Sequence, residues 1–140
     1  MPSAEFLAEA DQLLGQILSS MTMPDKDVAE GATYFVADKP NRNQLRATGT
    51  PEGWQLLGMY EWQPAHKITI FEESLRWLAG KMGSLRMAIR DTLEHEIYQH
   101  ALGWDHVLET VEAGLIPAHA VSMAAFSSQD TCLPCKAQTR

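Results

Sequence analysis

The sequence predicts a small α+β domain with an N-terminal helix, a sheet of about three strands and a central helix that carries several histidines. Three observations predict this class. Residues 1–20 have apolar side chains at helical spacing, short segments rich in β-branched and aromatic residues follow, and a second helical pattern comes after them. The length of 140 residues fits a single domain. We expect the helices to pack on one side of the sheet.

The composition is that of an ordinary folded protein, with 45% hydrophobic and 21% charged residues. The formal net charge of -7 argues against a surface that binds the phosphate backbone of a nucleic acid, so no nucleic-acid partner is expected. No apolar run approaches the roughly 20 residues of a membrane helix. The first residues also lack the positive charge of a secretory signal. We therefore expect a cytoplasmic protein with no membrane partner.

The first helix is predicted from apolar residues spaced three and four apart. They are Phe6, Leu7, Ala10, Leu13, Leu14, Ile17 and Leu18. Pro24 follows this pattern, and the residue before a proline disfavours the helical conformation. The segment Thr33–Ala37 is rich in β-branched and aromatic residues and is closed by Asp38-Lys39-Pro40, which predicts a short strand.

The middle of the chain predicts a loop, two strands and a short helix. Residues 40–53 are polar and rich in turn-forming types, so a long loop is expected. Gln55–Trp62 and Lys67–Phe71 have strand composition and are close enough in sequence to pair as neighbours. A short helix should follow and stop at Gly80.

The next helix is predicted over about Leu85–Leu102, with Ser84 as N-cap and Gly103 as its stop. Three residues form the stripe that faces the core: Ile89, Leu93 and Ile97. We assign residues 1–126 to one domain and residues 127–140 to a C-terminal tail.

The segment Glu94–His106 contains three of the five histidines of the chain. Zinc hydrolases of one large class carry two histidines at positions i and i+4 of a helix, with a glutamate after the first as general base. His95 and Glu96 match the start of this pattern, but the next histidine is His100. Residues five apart lie about 140° apart on a regular helix, too far round to share one ion.

Three registers of ligands are therefore open. In the first, Glu96 is the base, and the amide of Gln99 is a weak second ligand at the i+4 position. The ligands of this register are His95, Gln99 and either Asp105 or His106.

The other two registers use the second histidine. In one, the ligands are Glu96, His100 and His106, spaced four and six apart, and no adjacent carboxylate remains as base. In the other, a π-bulge within Ile97–Gln99 absorbs one residue and brings His95 and His100 together. Glu96 is then the base and His106 the third ligand.

The sequence resembles the small bacterial zincin-like metallopeptidases known as minimal zincins. Four segments carry the resemblance: Asp38-Lys39-Pro40, Leu56–Glu61, Ile68–Phe71 and Arg90–Ile97. It implies a zincin-like fold over most of the chain, zinc as cofactor and a peptide or protein substrate.

In that family the last segment continues as HExxHHxG and reaches an acidic third ligand. Carried over without gaps, His95 is the first ligand, Glu96 the base and Asp105 the third ligand. Gln99 then stands at the position of the second ligand, His100 matches the histidine after it, and the family's glycine comes one residue later, at Gly103. The motif is therefore interpreted as degenerate.

The resemblance predicts a zinc-dependent metallopeptidase with Glu96 as general base. The alternative is a catalytically inactive zincin-like protein that acts as a binding or regulatory module, with a peptide laid along the sheet edge near Gln55–Trp62. The stretch His100–His106 is also similar to the HLxGYDH end of bacterial rRNA-maturation endonucleases. This sequence has Glu96 where those enzymes have their first histidine. His66 and His119 are candidates for a distant ligand.

Overall fold

The computed structural model describes residues 1–61, residues 66–102 and the backbone of a strand at residues 136–138. The N-terminal helix α1 spans Ala4–Ser20, and the Ser3 side chain caps it by accepting a hydrogen bond from the Phe6 N–H. Its buried residues are Phe6, Ala10, Leu13 and Ile17, four of the predicted apolar positions. The predicted amphipathic helix is confirmed.

The sheet contains three strands in the described part of the chain. They are β1 (Thr33–Ala37), β3 (Gly58–Glu61) and β4 (Lys67–Phe71), in the order β1-β4-β3. β1 runs parallel to β4, while β3 runs antiparallel to it, as predicted for sequence neighbours. The central strand β4 is buried from Ile68 to Phe71, as expected for a strand covered on both faces.

The main core lies between the sheet and the helices α1 and α5, the latter spanning Leu85–His95. Ser84 caps α5 as predicted, because its hydroxyl accepts from the Met87 N–H. The predicted stripe is buried, with Ile89, Leu93 and Ile97 at most 3% exposed. A smaller apolar cluster contains Leu56, Met59 and Phe71. The α+β fold class predicted from the sequence is confirmed.

Two short helices occur where no helix was predicted. α2 spans Asp25–Glu30, directly after Pro24. α3 spans Arg42–Ala47, inside the segment that was predicted to be a loop. The prediction of a loop was wrong because Asn41 and Gln44 form a capping box, in which each side chain accepts from the other's backbone N–H.

The predicted strand Gln55–Trp62 is divided in two. β2 spans Trp54–Leu56, and Leu57 separates it from β3. β2 pairs antiparallel with β5 (Lys136–Gln138), so the part of the edge predicted for a peptide that lies in β2 is paired with residues of this chain. The domain boundary predicted at residue 126 lies outside the described residues.

The helix α4 spans Glu72–Met82 and continues through Gly80, where the prediction had ended it. The stop is Gly83, whose φ of 84° is the left-handed conformation that glycine adopts at helix ends. Near the start of α4, Glu72 accepts hydrogen bonds from the Ser3 N–H and hydroxyl and from Arg76. Burial acts to raise the pKa of this carboxyl, but these hydrogen bonds outweigh it and lower the pKa.

No helix among the described residues has the length and apolar character needed to cross a membrane.

Candidate functional site

The candidate site lies where α5 changes its helical type. The α-helix ends at His95, and Glu96–Ala101 is a π-helix. The backbone N–H of Leu102 donates to the carbonyl of Ile97, five residues earlier, at 2.9 Å. This hydrogen-bond spacing aligns residues five apart along one face, as the α-helix does for residues four apart. A π-type turn, which the third register requires within Ile97–Gln99, is therefore present and extends over Glu96–Ala101.

The change of helical type brings two histidines together. The Nε2 atoms of His95 and His100 are 3.2 Å apart, and the two rings meet edge to face with centroids 4.9 Å apart. The Glu96 carboxylate lies beside them, with its Oε2 3.8 Å from the Nε2 of His95. Glu96 is fully buried, and the His95 side chain is 8% exposed.

These three residues form a group that can hold a metal ion. We call it the three-residue cluster, and its possible ligand atoms all lie within 4.8 Å of one another. Two nitrogen ligands about 2.0–2.1 Å from a tetrahedral zinc ion are separated by about 3.3–3.4 Å. The observed separation of 3.2 Å between His95 and His100 is close to this value. Imidazole nitrogen and carboxylate oxygen are also the ligand types that zinc accepts.

The strand β3 packs directly against the π-helix, and a glycine makes this close approach possible. Gly58 is buried, and a Cβ atom at this position would lie 2.9 Å from Thr92 Cγ2 and 3.4 Å from Glu96 Cγ. The shorter distance is below any ordinary Cβ contact. The absence of a side chain at Gly58 therefore lets β3 lie against the side chains of Thr92 and the buried Glu96.

The same strand places an aromatic residue beside the second histidine. The Tyr60 ring is nearly parallel to the His100 ring, at an interplanar angle of 15° and a centroid distance of 6.4 Å. The Tyr60 hydroxyl is hydrogen-bonded to Nδ1 of His66, the residue before β4. Burial raises the pKa of the Tyr60 phenol, so the hydroxyl keeps its proton at neutral pH.

The structure brings together three of the six residues that the sequence marked within Glu94–His106 as ligands or base: His95, Glu96 and His100. Gln99 lies in the π-helix, one residue before His100. Asp105 and His106 lie outside the described residues, as does His119. His66 is next to Tyr60 and is not a member of the three-residue cluster.

Sequence reasoning did not identify Gly58 and Tyr60 as neighbours of the site. Both belong to a segment that carried the family resemblance. Because they are two residues apart on a strand, they lie on the same face. This pattern could have pointed to them, but pairing that face with the histidine helix requires the tertiary structure.

Comparison with known families supports the same interpretation. A family model described as zincin-like metallopeptidase matches residues 29–114, which include β1, β4, α5 and the three-residue cluster. Searches of curated proteins and of solved structures gave no match. The matched region covers more than half of the chain and contains the paired histidines with their buried glutamate. The chain therefore belongs to the zincin-like metallopeptidase family.

Proposed function

We propose that this protein is a zinc-dependent peptidase in which His95 and His100 hold the metal and Glu96 is the general base. The observation that carries the proposal is the 3.2 Å separation of the two Nε2 atoms, which the π-helix produces. Zinc bound between them would polarise a peptide carbonyl and acidify a water molecule. The family membership supports the same reaction class.

The residues of the chain have distinct tasks in this reaction. The two imidazoles supply neutral nitrogen ligands from one helix face. The Glu96 carboxylate is buried beside them, and as general base it would take a proton from the attacking water molecule and pass it to the leaving amine. A carboxylate in such surroundings interacts more strongly with nearby charge than it would in water.

The register of the π-helix supports an inference about the third ligand. If one residue is inserted between the two histidines, His100 becomes the second ligand and Gly103 comes to the position of the family's glycine. The spacing after His100 then reads His-x-x-Gly-x-x-His and ends at His106. One insertion therefore accounts for both departures from the family motif, and we assign the third ligand to His106 rather than to Asp105 or Gln99.

The test is zinc content and peptide hydrolysis of the protein and its Glu96→Gln variant. The protein is purified without a histidine tag, and metal is measured by inductively coupled plasma mass spectrometry. We expect about one zinc per chain in both proteins. Turnover of a peptide library should fall by about 10²–10⁴ in the variant, because general-base catalysis is worth that much. In the same measurement, His106→Ala should lose zinc and Asp105→Ala should retain it.

Each outcome has a defined meaning. Unchanged peptidase activity in Glu96→Gln would remove this residue as the base. Stoichiometric zinc without hydrolysis of any peptide would favour the alternative, an inactive zincin-like protein that binds or regulates a partner. Absence of zinc that dialysis against zinc does not restore would overturn the proposal.

A further inference from the structure

The strand β3 presents two residues to the π-helix, and they contact different members of the three-residue cluster. Gly58 and Tyr60 are two residues apart, so both lie on the same face of the strand. Gly58 approaches Glu96, and Tyr60 lies beside His100. The site therefore has a wall that is separate from the helix carrying its proposed ligands.

This wall lies against a helical type that is rare and that occurs mostly as a single turn within an α-helix, frequently at functional sites. The imidazole of His100 can rotate about its side-chain bonds unless a neighbour restricts it. The Tyr60 ring is the neighbour that lies nearly parallel to it.

Tyr60 is itself held at both ends. Its backbone belongs to the ladder between β3 and β4, in which it is paired with Ile68. Its hydroxyl is hydrogen-bonded to His66, whose backbone carbonyl accepts from the Thr33 N–H at 3.0 Å. The ring therefore connects the sheet to the site through fixed contacts.

The geometry points to Tyr60 as a positioning residue that orients His100 for metal binding, with His66 fixing the tyrosine ring. This inference rests on the proposed function, because it assumes that His100 is a ligand. Groups that orient metal ligands typically change the metal affinity by 10- to 100-fold when removed.

The experiment measures zinc affinity by competition with a chromophoric chelator, and the visible absorption of bound Co²⁺ as a report on ligand geometry. Tyr60→Leu removes the ring and should weaken zinc binding by about tenfold or more, with an altered cobalt spectrum. Tyr60→Phe keeps the ring and loses the hydroxyl, so a smaller loss of about three- to tenfold is expected. His66→Ala removes the same hydrogen bond and should have a similar effect.

A double-mutant cycle checks that the two residues act as one unit. Tyr60→Phe combined with His66→Ala should weaken zinc binding no more than either single change, because both remove one interaction. The matched control is Tyr34→Phe, which removes a tyrosine hydroxyl that donates to the Ala29 carbonyl. This control should leave the zinc affinity and the cobalt spectrum unchanged.

The results separate this inference from the proposed function. If the unaltered protein binds neither zinc nor Co²⁺, the proposed function is wrong and the inference falls with it. If the unaltered protein binds metal and Tyr60→Leu, Tyr60→Phe and His66→Ala bind it equally well, the positioning role alone is wrong. Far-UV circular dichroism shows whether each variant is folded. If Tyr60→Leu does not fold, Tyr60→Phe and His66→Ala still test the inference.

Discussion

Gly58 shows how one residue controls the approach of a strand to the site. It is buried against Thr92, the Thr69 carbonyl oxygen and Glu96, and nothing larger than a hydrogen fits on its Cα without displacement. The nearest obstacle is the Cγ2 methyl group of Thr92, which is itself buried and has restricted rotamers because its side chain is β-branched. The close contact therefore cannot relax by motion of a flexible side chain.

A first prediction concerns this contact. Gly58→Ala should destabilise the fold by about 1–3 kcal/mol, the usual cost of an extra methyl group in a packed interior. It should also weaken zinc binding, because β3 must move away from Glu96. Combining it with Thr92→Ser removes the obstructing methyl group and should recover part of the stability, since the Thr69 carbonyl oxygen remains 3.3 Å from the added Cβ. Urea unfolding and chelator competition measure both effects, and an unchanged zinc affinity in Gly58→Ala would contradict the account.

At the scale of the element, the π-helix decides which histidines face each other. In a continuous α-helix His95 would face Gln99, and His100 would point about 140° away. In the observed π-helix the partner of His95 is His100. A change of hydrogen-bond spacing over Glu96–Ala101 thus converts an unsuitable sequence spacing into a possible ligand pair.

A second prediction tests whether the π-helix accommodates one extra residue. Deletion of Gln99 leaves two histidines four apart, the spacing that an α-helix places on one face. We expect this variant to retain about one zinc per chain, with an affinity within about tenfold of the unaltered protein. The control carries the same deletion together with His100→Ala and should lose the zinc. A folded deletion variant that binds no zinc would show that the π-helix does more than restore the spacing.

At the scale of the whole molecule, Tyr34 links the sheet to the short helix α2. It lies in β1, and its hydroxyl donates to the Ala29 carbonyl in a partly buried environment. Burial, and to a smaller extent the Glu30 carboxylate, raises the pKa of Tyr34 to about 12 from an ordinary value of 10.0. Folding therefore favours the protonated phenol.

The sign of the pH dependence follows from this shift. The stabilisation associated with Tyr34 should be fully present below pH 10.0, the ordinary value, and should be lost as the pH rises through about 12. The loss is measured as the free energy of unfolding in urea, determined in steps of about one pH unit from about pH 9 to about pH 12. The Tyr34→Phe variant is the reference. The difference between the two proteins should fall over this range. A difference that does not change with pH would contradict the prediction.

The order of the main elements was predictable because each depends on local sequence patterns. The spacing of apolar residues predicted α1 and α5, and the β-branched segments predicted β1 and β4 within the observed bounds. The helix α3 was missed although its capping box is visible in the sequence, since the polar composition of its segment outweighed that signal. The break at Leu57 between β2 and β3 has no local signal, because the two parts pair with different strands.

By itself, the sequence determined the chemistry that is possible: a histidine-glutamate pair, a second histidine five residues on, and an α+β fold in which a helix carries them. It left three registers open, because helical spacing is set by backbone hydrogen bonds whose choice depends on packing. The tertiary structure decided that His95 and His100 face each other beside a buried Glu96. Contacts between segments far apart in the chain, such as those of Gly58 and Tyr60 in β3 with the π-helix, belong to the tertiary structure and cannot be read from sequence spacing.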